Sequence, residues 1–365
     1  MANVGKRLLI LKSSANRLLV TPNQIDERFM RLALVEARKG LGQTSPNPAV
    51  GALIVAGGKI ISRAHHRKAG GPHAEVECLE RVRGRLPKNA TLYVTLEPCS
   101  TIGQTGRCTD AIFSAGVGRV VVGALDVNPR HRGQGIKILQ EAGVDVQAGV
   151  LAQECSALNE AFNKWITTGR PFVIAKCGMS LDGHLTRPDA EMRWITGSAA
   201  RRDAHALRAQ VDAILVGAET IRADDPRLTV RGIRGAKQPW RVVLTRSGKL
   251  SRRCKLFRDR FAERTLIYRK QSINSVLQDL GSKSVTSVLI EGGGEILGQA
   301  LDAALIDKVH IYLGSLLTGG PVLAFPGRGS PDTRNAARLE HVSYRRLAND
   351  ICVTGYPKFQ TSANE

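Results

Sequence analysis

Apolar positions recur at helical spacing near the start of the chain. Ile25, Phe29, Leu32, Ala33 and Ala37 line one side of a 3.6-residue repeat that Gly40 closes, which predicts a helix over 24–39. The period then shortens to that of strands. Val50–Val55 and Lys59–Ala64 read as strands, a helix begins at Pro72, and Thr91–Leu96 is strand again. A helix near Thr109–Ala115, a strand Arg119–Ala124, a helix around Gly135–Ala142, a strand Val144–Gly149 and a helix Ala152–Thr167 follow. Strands alternating with short helices imply an α/β domain built in layers.

Thr168-Gly169-Arg170-Pro171 is a breaker, and the alternation restarts behind it. Strand Phe172–Lys176, helix Ser198–Ala209 and strands Ala213–Val216, Arg241–Leu244, Thr265–Tyr268 and Ser287–Ile290 lead to a helix Glu295–Ala304. A length of 365 residues also suits two domains better than one. The expected division is an extension 1–23, a first domain 24–168 and a second 169–365. Leu8–Leu11 behind Lys6 and Arg7 is cut short by Lys12 and has no small-residue cleavage site, so it reads as an extension of a cytoplasmic protein rather than a signal peptide. No apolar run approaches the roughly 18 residues of a membrane span.

The cysteines are seven in number and scattered, which points to free thiols, some of them metal ligands, rather than a disulfide framework. Thr95-Leu96-Glu97-Pro98-Cys99 connects a strand to a helix, Cys108 lies nine residues on, and His73 stands at the start of an earlier helix. One imidazole and two thiolates are the ligand set of a zinc site that keeps its fourth position open. Such a site lowers the pKa of a bound water towards about 7. Glu75 follows His73 by two positions, and residues so spaced do not face each other on a helix. His73 would therefore face the metal while Glu75 takes the proton of the water and hands it to a leaving amine, the H-x-E…P-C pattern of zinc nucleobase deaminases. Those enzymes often carry Cys-x-x-Cys, but Ile102 stands three beyond Cys99, so Cys108 must be the second thiolate and Cys78 belongs to the core. The plainer alternative makes His73 a helix cap, Glu75 a charge on the helix dipole and the thiols buried apolar groups.

In the second half, the strand Ser287–Ile290 runs into Glu291-Gly292-Gly293-Gly294 and then a helical pattern. Glycines there let backbone N–H groups approach a phosphate at a helix N-terminus. The run is not G-x-G-x-x-G, and a Rossmann domain is unsupported.

Together these motifs resemble one family, the bifunctional deaminase-reductases of riboflavin biosynthesis, over residues 24–365. Ser45-Pro46-Asn47-Pro48-Ala49-Val50-Gly51, Pro72–Glu75, Glu97-Pro98-Cys99 and Cys108 match its zinc half. Ser180-Leu181-Asp182-Gly183, Trp194-Ile195-Thr196, Arg201-Arg202-Asp203, Ala223-Asp224-Asp225-Pro226, Leu228-Thr229 and Glu291-Gly292-Gly293 match its reductase half in order. The resemblance implies a cytidine-deaminase-like three-layer domain followed by a dihydrofolate-reductase-like domain. It implies zinc-dependent deamination of a diaminopyrimidinone ribotide, then NADPH-dependent reduction of the ribose of the product. Asn47 and His66 would line the pyrimidine pocket, with Asp126 and Asn128 nearby. Met179, Trp194, Thr220, Asp224, Gly293 and Gly294 would contact NADPH, and Lys176, Arg208, Leu228, Arg231 and Glu291 would hold the ribotide. Asp224 is the candidate ionisable group beside the reacting centre.

The chain also departs from that pattern. Thr101 stands for a family His, Gln104 for a basic residue, and Gly106-Arg107 for Pro-Pro, with Arg107 a candidate to replace the lost charge. Met192 stands for a Ser, and Thr245-Arg246 for Asp followed by Ser or Thr, which would put Arg246 beside the cofactor. These changes keep open a paralogue that retains only the reductase. The net charge of +21, with eleven basic and two acidic residues between Arg241 and Lys270, raises a second alternative, a nucleic-acid-acting zinc deaminase. Phe257, Phe261 and Tyr268 are the only aromatic residues in that run, and the matching reductase half argues for small phosphorylated pyrimidines, drawn in by the field of the protein. A homo-oligomer is left open.

Overall fold

The computed structural model describes residues 22–101, 106–185 and 194–360, and it divides into two compact units between Asn163 and Lys164. That division falls inside a helix, a few residues before the breaker at 168–171. No described helix is long and apolar enough to cross a membrane.

In the first unit, α1 (Pro22–Arg38) buries Phe29, Met30, Ala33, Leu34 and Ala37. Leu32, expected on that face, is 38% exposed, because the stripe runs one position to the side of it through Met30 and Leu34. Asp26 lies within the same buried face. It accepts hydrogen bonds from Tyr93 Oη at 2.8 Å and from Arg119 Nη1 and Nη2 at 3.0 and 2.8 Å, partners that a buried carboxylate requires. Strands β1 (Gly51–Ala56) and β2 (Lys59–His65) form a hairpin across Gly57 and Gly58, both at positive φ. The short helix α2 (Ala74–Glu80) leads to β3 (Thr91–Leu96), antiparallel to β1. Then come α3 (Cys108–Ser114), β4 (Arg119–Ala124), α4 (Gln134–Glu141) and β5 (Asp145–Ala148). Strands β3, β4 and β5 run parallel, and the sheet order is β2-β1-β3-β4-β5. Leu92, Tyr93, Val94, Thr95 and Leu96 are buried in succession, so both faces of β3 are covered and the unit has three layers.

The helix expected over 152–167 is two, α5 (Ala152–Leu158) and α6 (Glu160–Thr168). Asn159 breaks it because its amide is used elsewhere. Its Oδ1 accepts from the Ala49 N–H at 2.8 Å and its Nδ2 donates to the Ala49 carbonyl at 3.0 Å, a backbone mimic that ties down the segment after Asn47.

The second unit is built on β6 (Phe172–Ser180), followed by α7 (Ser198–Arg208), β7 (Ala213–Gly217), α8 (Ala218–Asp224), β8 (Trp240–Thr245), the single turn α9 (Lys255–Arg258) and β9 (Thr265–Arg269). The helix α10 (Ile273–Ser282), β10 (Ser287–Glu291), α11 (Gly294–Asp302), β11 (Lys308–Gly314), β12 (Arg338–Leu347) and β13 (Asp350–Lys358) complete it. The sheet order is β12-β13-β11-β6-β10-β7-β8-β9. All neighbours from β11 to β9 are parallel, and β13 and β12 add an antiparallel edge. The central strands are mostly apolar because helices cover both faces. The strand order turns back between β6 and β10, which opens a crevice at their carboxyl ends.

Replacing Asn159 by Ala should leave both polar groups of Ala49 buried without partners and cost about 1–3 kcal/mol of stability in the first unit. Urea unfolding followed through the fluorescence of Tyr93, with the second unit tracked separately through Trp240, checks that value.

Candidate functional site

His73 caps α2 rather than lying in its first turn. Its backbone is extended at φ −72°, ψ 160°, and this sends the ring away from the helix surface. Cys99 follows the end of β3, and Cys108 opens α3. The Nδ1 atom of His73 lies 3.2 Å from Cys108 Sγ and 3.4 Å from Cys99 Sγ, and all three donor atoms fall within 4.8 Å of one another. Cys78 is wholly buried elsewhere in the core, where burial pushes its thiol up to about 11. The Cys99 thiol is pulled down to about 4, first by the hydrogen bond from the Cys108 thiol and then, against burial, by His73. Cys108 is pushed up by that hydrogen bond and by burial, and the His73 ring is pushed up by its bond to Cys99. A soft sulfur pair with one imidazole, preset at this separation, fits a zinc ion.

Glu75 is buried, and desolvation raises its pKa above the ordinary value. His66 lies edge-on to His73 with ring centroids 5.3 Å apart. Its Nδ1 donates to the Pro72 carbonyl at 2.9 Å, which leaves Nε2 as the acceptor for Asn47 Nδ2 at 3.2 Å. Burial also lowers the pKa of His66. Asn47 and His66 are thus paired beside the triad. Asp126 and Asn128 form their own turn, with Asn128 N–H on Asp126 Oδ1 at 2.8 Å. Thr101 and Arg107 are exposed, while Gln104 lies outside the described residues.

Glu97, the first residue of the Glu-Pro-Cys motif, braces the site. Its Oε2 accepts from the N–H groups of Asp126 and Gly133 at 3.2 and 2.9 Å, and its Oε1 from Gly135 and Ile136 at 2.9 and 3.5 Å. Gly135 has to be glycine, since a Cβ there would stand 2.1 Å from the Pro98 carbonyl oxygen.

In the second unit Lys176 and Glu291 are paired residues of neighbouring strands at the crevice. The Arg208 guanidinium grips Glu291 in a fork, Nε to Oε1 at 2.7 Å and Nη2 to Oε2 at 2.5 Å, and its Nη1 donates to the Thr229 carbonyl at 3.1 Å. Burial pushes the Glu291 carboxyl up, but Arg208 and then Lys176 overcome it and leave the group at about 2. His205 belongs to the same cluster. Arg201, one turn earlier on α7, turns to Trp194, 4.8 Å above its ring, and to the Thr196 carbonyl. His205 instead accepts the Arg231 N–H at 3.3 Å, and burial with the nearby Arg208 and Arg231 charges holds its ring down at about 4. Leu228 is buried at positive φ, and the Arg231 side chain is exposed.

Thr220 stands beside Gly292 and Gly293, both at positive φ. Gly294 also meets a packing constraint, because a Cβ there would sit 2.0 Å from the Leu323 carbonyl oxygen. Packing of α11 on that backbone requires the third glycine. Met179 packs at the rim of the core, while Asp224 and Trp194 are exposed. Arg246 does not present a free charge, since it pairs with Glu295 at the start of α11. Met192 lies outside the described residues.

The two units thus carry a metal-binding donor set with a buried acid, and a parallel-sheet crevice lined by paired charges. That combination defines a zinc-type deaminase joined to a reductase. The profile of the cytidine and deoxycytidylate deaminase zinc-binding region matches residues 23–124, and the RibD C-terminal domain matches 171–353. A riboflavin biosynthesis protein RibD of Aquifex aeolicus is 37% identical over 350 residues, covering 90% of this chain and 98% of its own. The Escherichia coli protein of the same name is 35% identical with the same coverage. A Thermotoga maritima structure described as a diaminohydroxyphosphoribosylaminopyrimidine deaminase/5-amino-6-(5-phosphoribosylamino)uracil reductase superposes with a TM-score of 0.84 at 32% identity, covering 92% of this chain and 99% of that one. The chain belongs to this family of bifunctional deaminase-reductases of riboflavin biosynthesis.

Arg208→Ala should strand a buried carboxylate and destabilise the second unit by about 3–5 kcal/mol. Because Glu291 is held at about 2 against an ordinary 4.5, its contribution is complete above pH 4.5 and disappears as the pH falls towards 2. Unfolding of wild type and variant between pH 5 and pH 2 should therefore converge at the acid end.

Proposed function

We propose that the first domain, residues 24–168, deaminates 2,5-diamino-6-(5-phosphoribosylamino)pyrimidin-4(3H)-one and that the second, residues 169–365, reduces the ribose of 5-amino-6-(5-phosphoribosylamino)uracil with NADPH. The observation that carries the reading is the convergence of His73, Cys99 and Cys108 next to buried Glu75, in a chain whose two halves both match the family. His73 Nδ1 and the two sulfurs would hold zinc. When bound, zinc supplies a water acidified enough to attack at neutral pH. Glu75 receives the proton of the attacking water on its carboxylate and releases it to the departing amino nitrogen. Its burial keeps that proton from exchanging with solvent. Asn47, steadied by His66, hydrogen-bonds the pyrimidine edge.

In the second unit NADPH, when bound, supplies the hydride. Thr220, Gly293 and Gly294 at the β10–α11 turn, with Met179, Trp194 and Asp224, would hold it. Lys176 and the Arg208–Glu291 pair, with Leu228, orient the ribotide, and Arg231 would meet its phosphate with forked donors. Reduced thiols and small phosphorylated substrates suit a cytoplasmic enzyme.

Glu75→Ala should lower ammonia release by about two to four orders of magnitude, the span of general acid–base catalysis. The same variant should oxidise NADPH normally on the deaminated ribotide. Retained ammonia release would remove Glu75 from the mechanism, and a chain that never releases ammonia but oxidises NADPH would be a reductase alone. Cys108→Ser should reduce the zinc that co-purifies with the protein, read by elemental analysis without any activity assay.

A further inference from the structure

A second cationic cavity lies in the reductase unit, and only one residue of it, Arg231, belongs to the proposed ribotide set. The cavity encloses about 570 Å³ between the turn 227–231 and the segment 253–261. Arg227 and Arg231 line one wall, and Arg253, Lys255, Arg258 and Arg260 line the other.

Most of the positive charge on this lining is uncompensated. Asp259 is the one carboxylate on the lining, and Arg241 takes it at 2.8 Å. Lys255 has Asp225 at 3.5 Å. Among the described residues the guanidinium groups of Arg227, Arg253 and Arg258 form no ion pair, and Arg231 has only the more distant Glu291 to offset its cationic neighbours. The pKa of Arg231 is lowered, first by burial and then by Arg208 and Arg227, as like charges crowd one another.

Both walls are held by one buried side chain. Arg241, 1% exposed, donates to the carbonyls of Arg227, Leu256 and Phe261 at 3.3, 2.7 and 2.5 Å as well as to Asp259. The backbone that carries the arginines is therefore pinned, while their side chains are exposed at the cavity. Like charges fixed close together lose energy that an anion bound between them restores. A polymer is a poor occupant. Phe261 is the single aromatic side chain on the lining, so a nucleic acid would find no platform for its bases.

The geometry points to a second anion site here, built for a phosphate dianion through Arg227, Arg253, Arg258 and Arg260. The dianion is either the phosphate of an arriving ribotide or a free phosphate. Inorganic phosphate is the probe, titrated calorimetrically into the full-length protein. Wild type should bind it saturably. Arg253→Ala/Arg258→Ala should bind about tenfold more weakly, as expected for losing charge-assisted contacts. Arg253→Lys/Arg258→Lys should retain most of the affinity and serves as the control for folding. Displacement of the phosphate by the deaminated ribotide makes the substrate the source of the dianion, whereas simultaneous binding makes it a free phosphate. An absence of saturable binding to wild type, or equal binding by wild type and the alanine variant, would overturn the assignment. This measurement is independent of NADPH turnover, so it stands or fails apart from the proposed reductase chemistry.

Discussion

Glu97 is 4% exposed, and its two oxygens collect four backbone N–H groups from the segment after β4. A carboxylate taken out of water needs such donors, and the donors need an acceptor, because an N–H buried without a partner costs as much as a lost hydrogen bond. The bargain fixes where the polypeptide can go. With 126–136 pinned to Glu97, Pro98 is pressed against Gly135, and Cys99 leaves β3 in one direction. Cys108 then caps the return of the chain, with its N–H 3.4 Å from Cys99 Sγ. His73 completes the triad from an extended cap. The metal-binding donor set is thus a consequence of how a buried acid two residues upstream is satisfied.

The same requirement organises the second unit in a different way. Glu291 is answered by a guanidinium instead of amides, and the fork with Arg208 orients both planes. His205 stays neutral within this positive surround, which leaves Nδ1 free to accept the Arg231 N–H. Parallel strands place these groups side by side at their carboxyl ends, where the backbone ladder stops and side chains become the available partners. Both units therefore put their chemistry at strand ends, and each supports it with a paired buried charge behind the reactive surface.

Much of this was readable from spacing. Thr91–Leu96 and Arg119–Ala124 appear in the structure with those bounds because both are continuous apolar runs between breakers. His73, Cys99 and Cys108 were visible because metal-ligand chemistry restricts residue types sharply. What the pattern hid was decided by tertiary contacts. Asn159 breaks a helix for a hydrogen bond to Ala49, 110 positions away in the chain. Strand β12 escaped because an edge facing solvent carries no apolar alternation, as its exposure along nearly its whole length makes plain. The cationic surround of His205 is invisible in the sequence because helical spacing reports which residues are neighbours, not what packs on them. The packing role of Gly294 was hidden because a glycine needed for close packing and one needed for positive φ are identical in sequence.

The basic segment 241–270 shows the same limit for charge. Composition presents its arginines as one population, but the structure separates them by solvation. Arg241 is buried and pairs with Asp259 and three carbonyls, so its charge is spent on the frame. Arg246 is exposed and neutralised by Glu295. Arg253 and Arg258 keep their full field at the mouth of a cavity. Net charge alone would predict weak attraction for any anion, falling off within a Debye length. Fixed cations around a concavity instead focus the potential at one place and favour an anion small enough to enter it. The excess of positive charge in this chain is therefore selective where a buried arginine holds the others in register, and diffuse elsewhere.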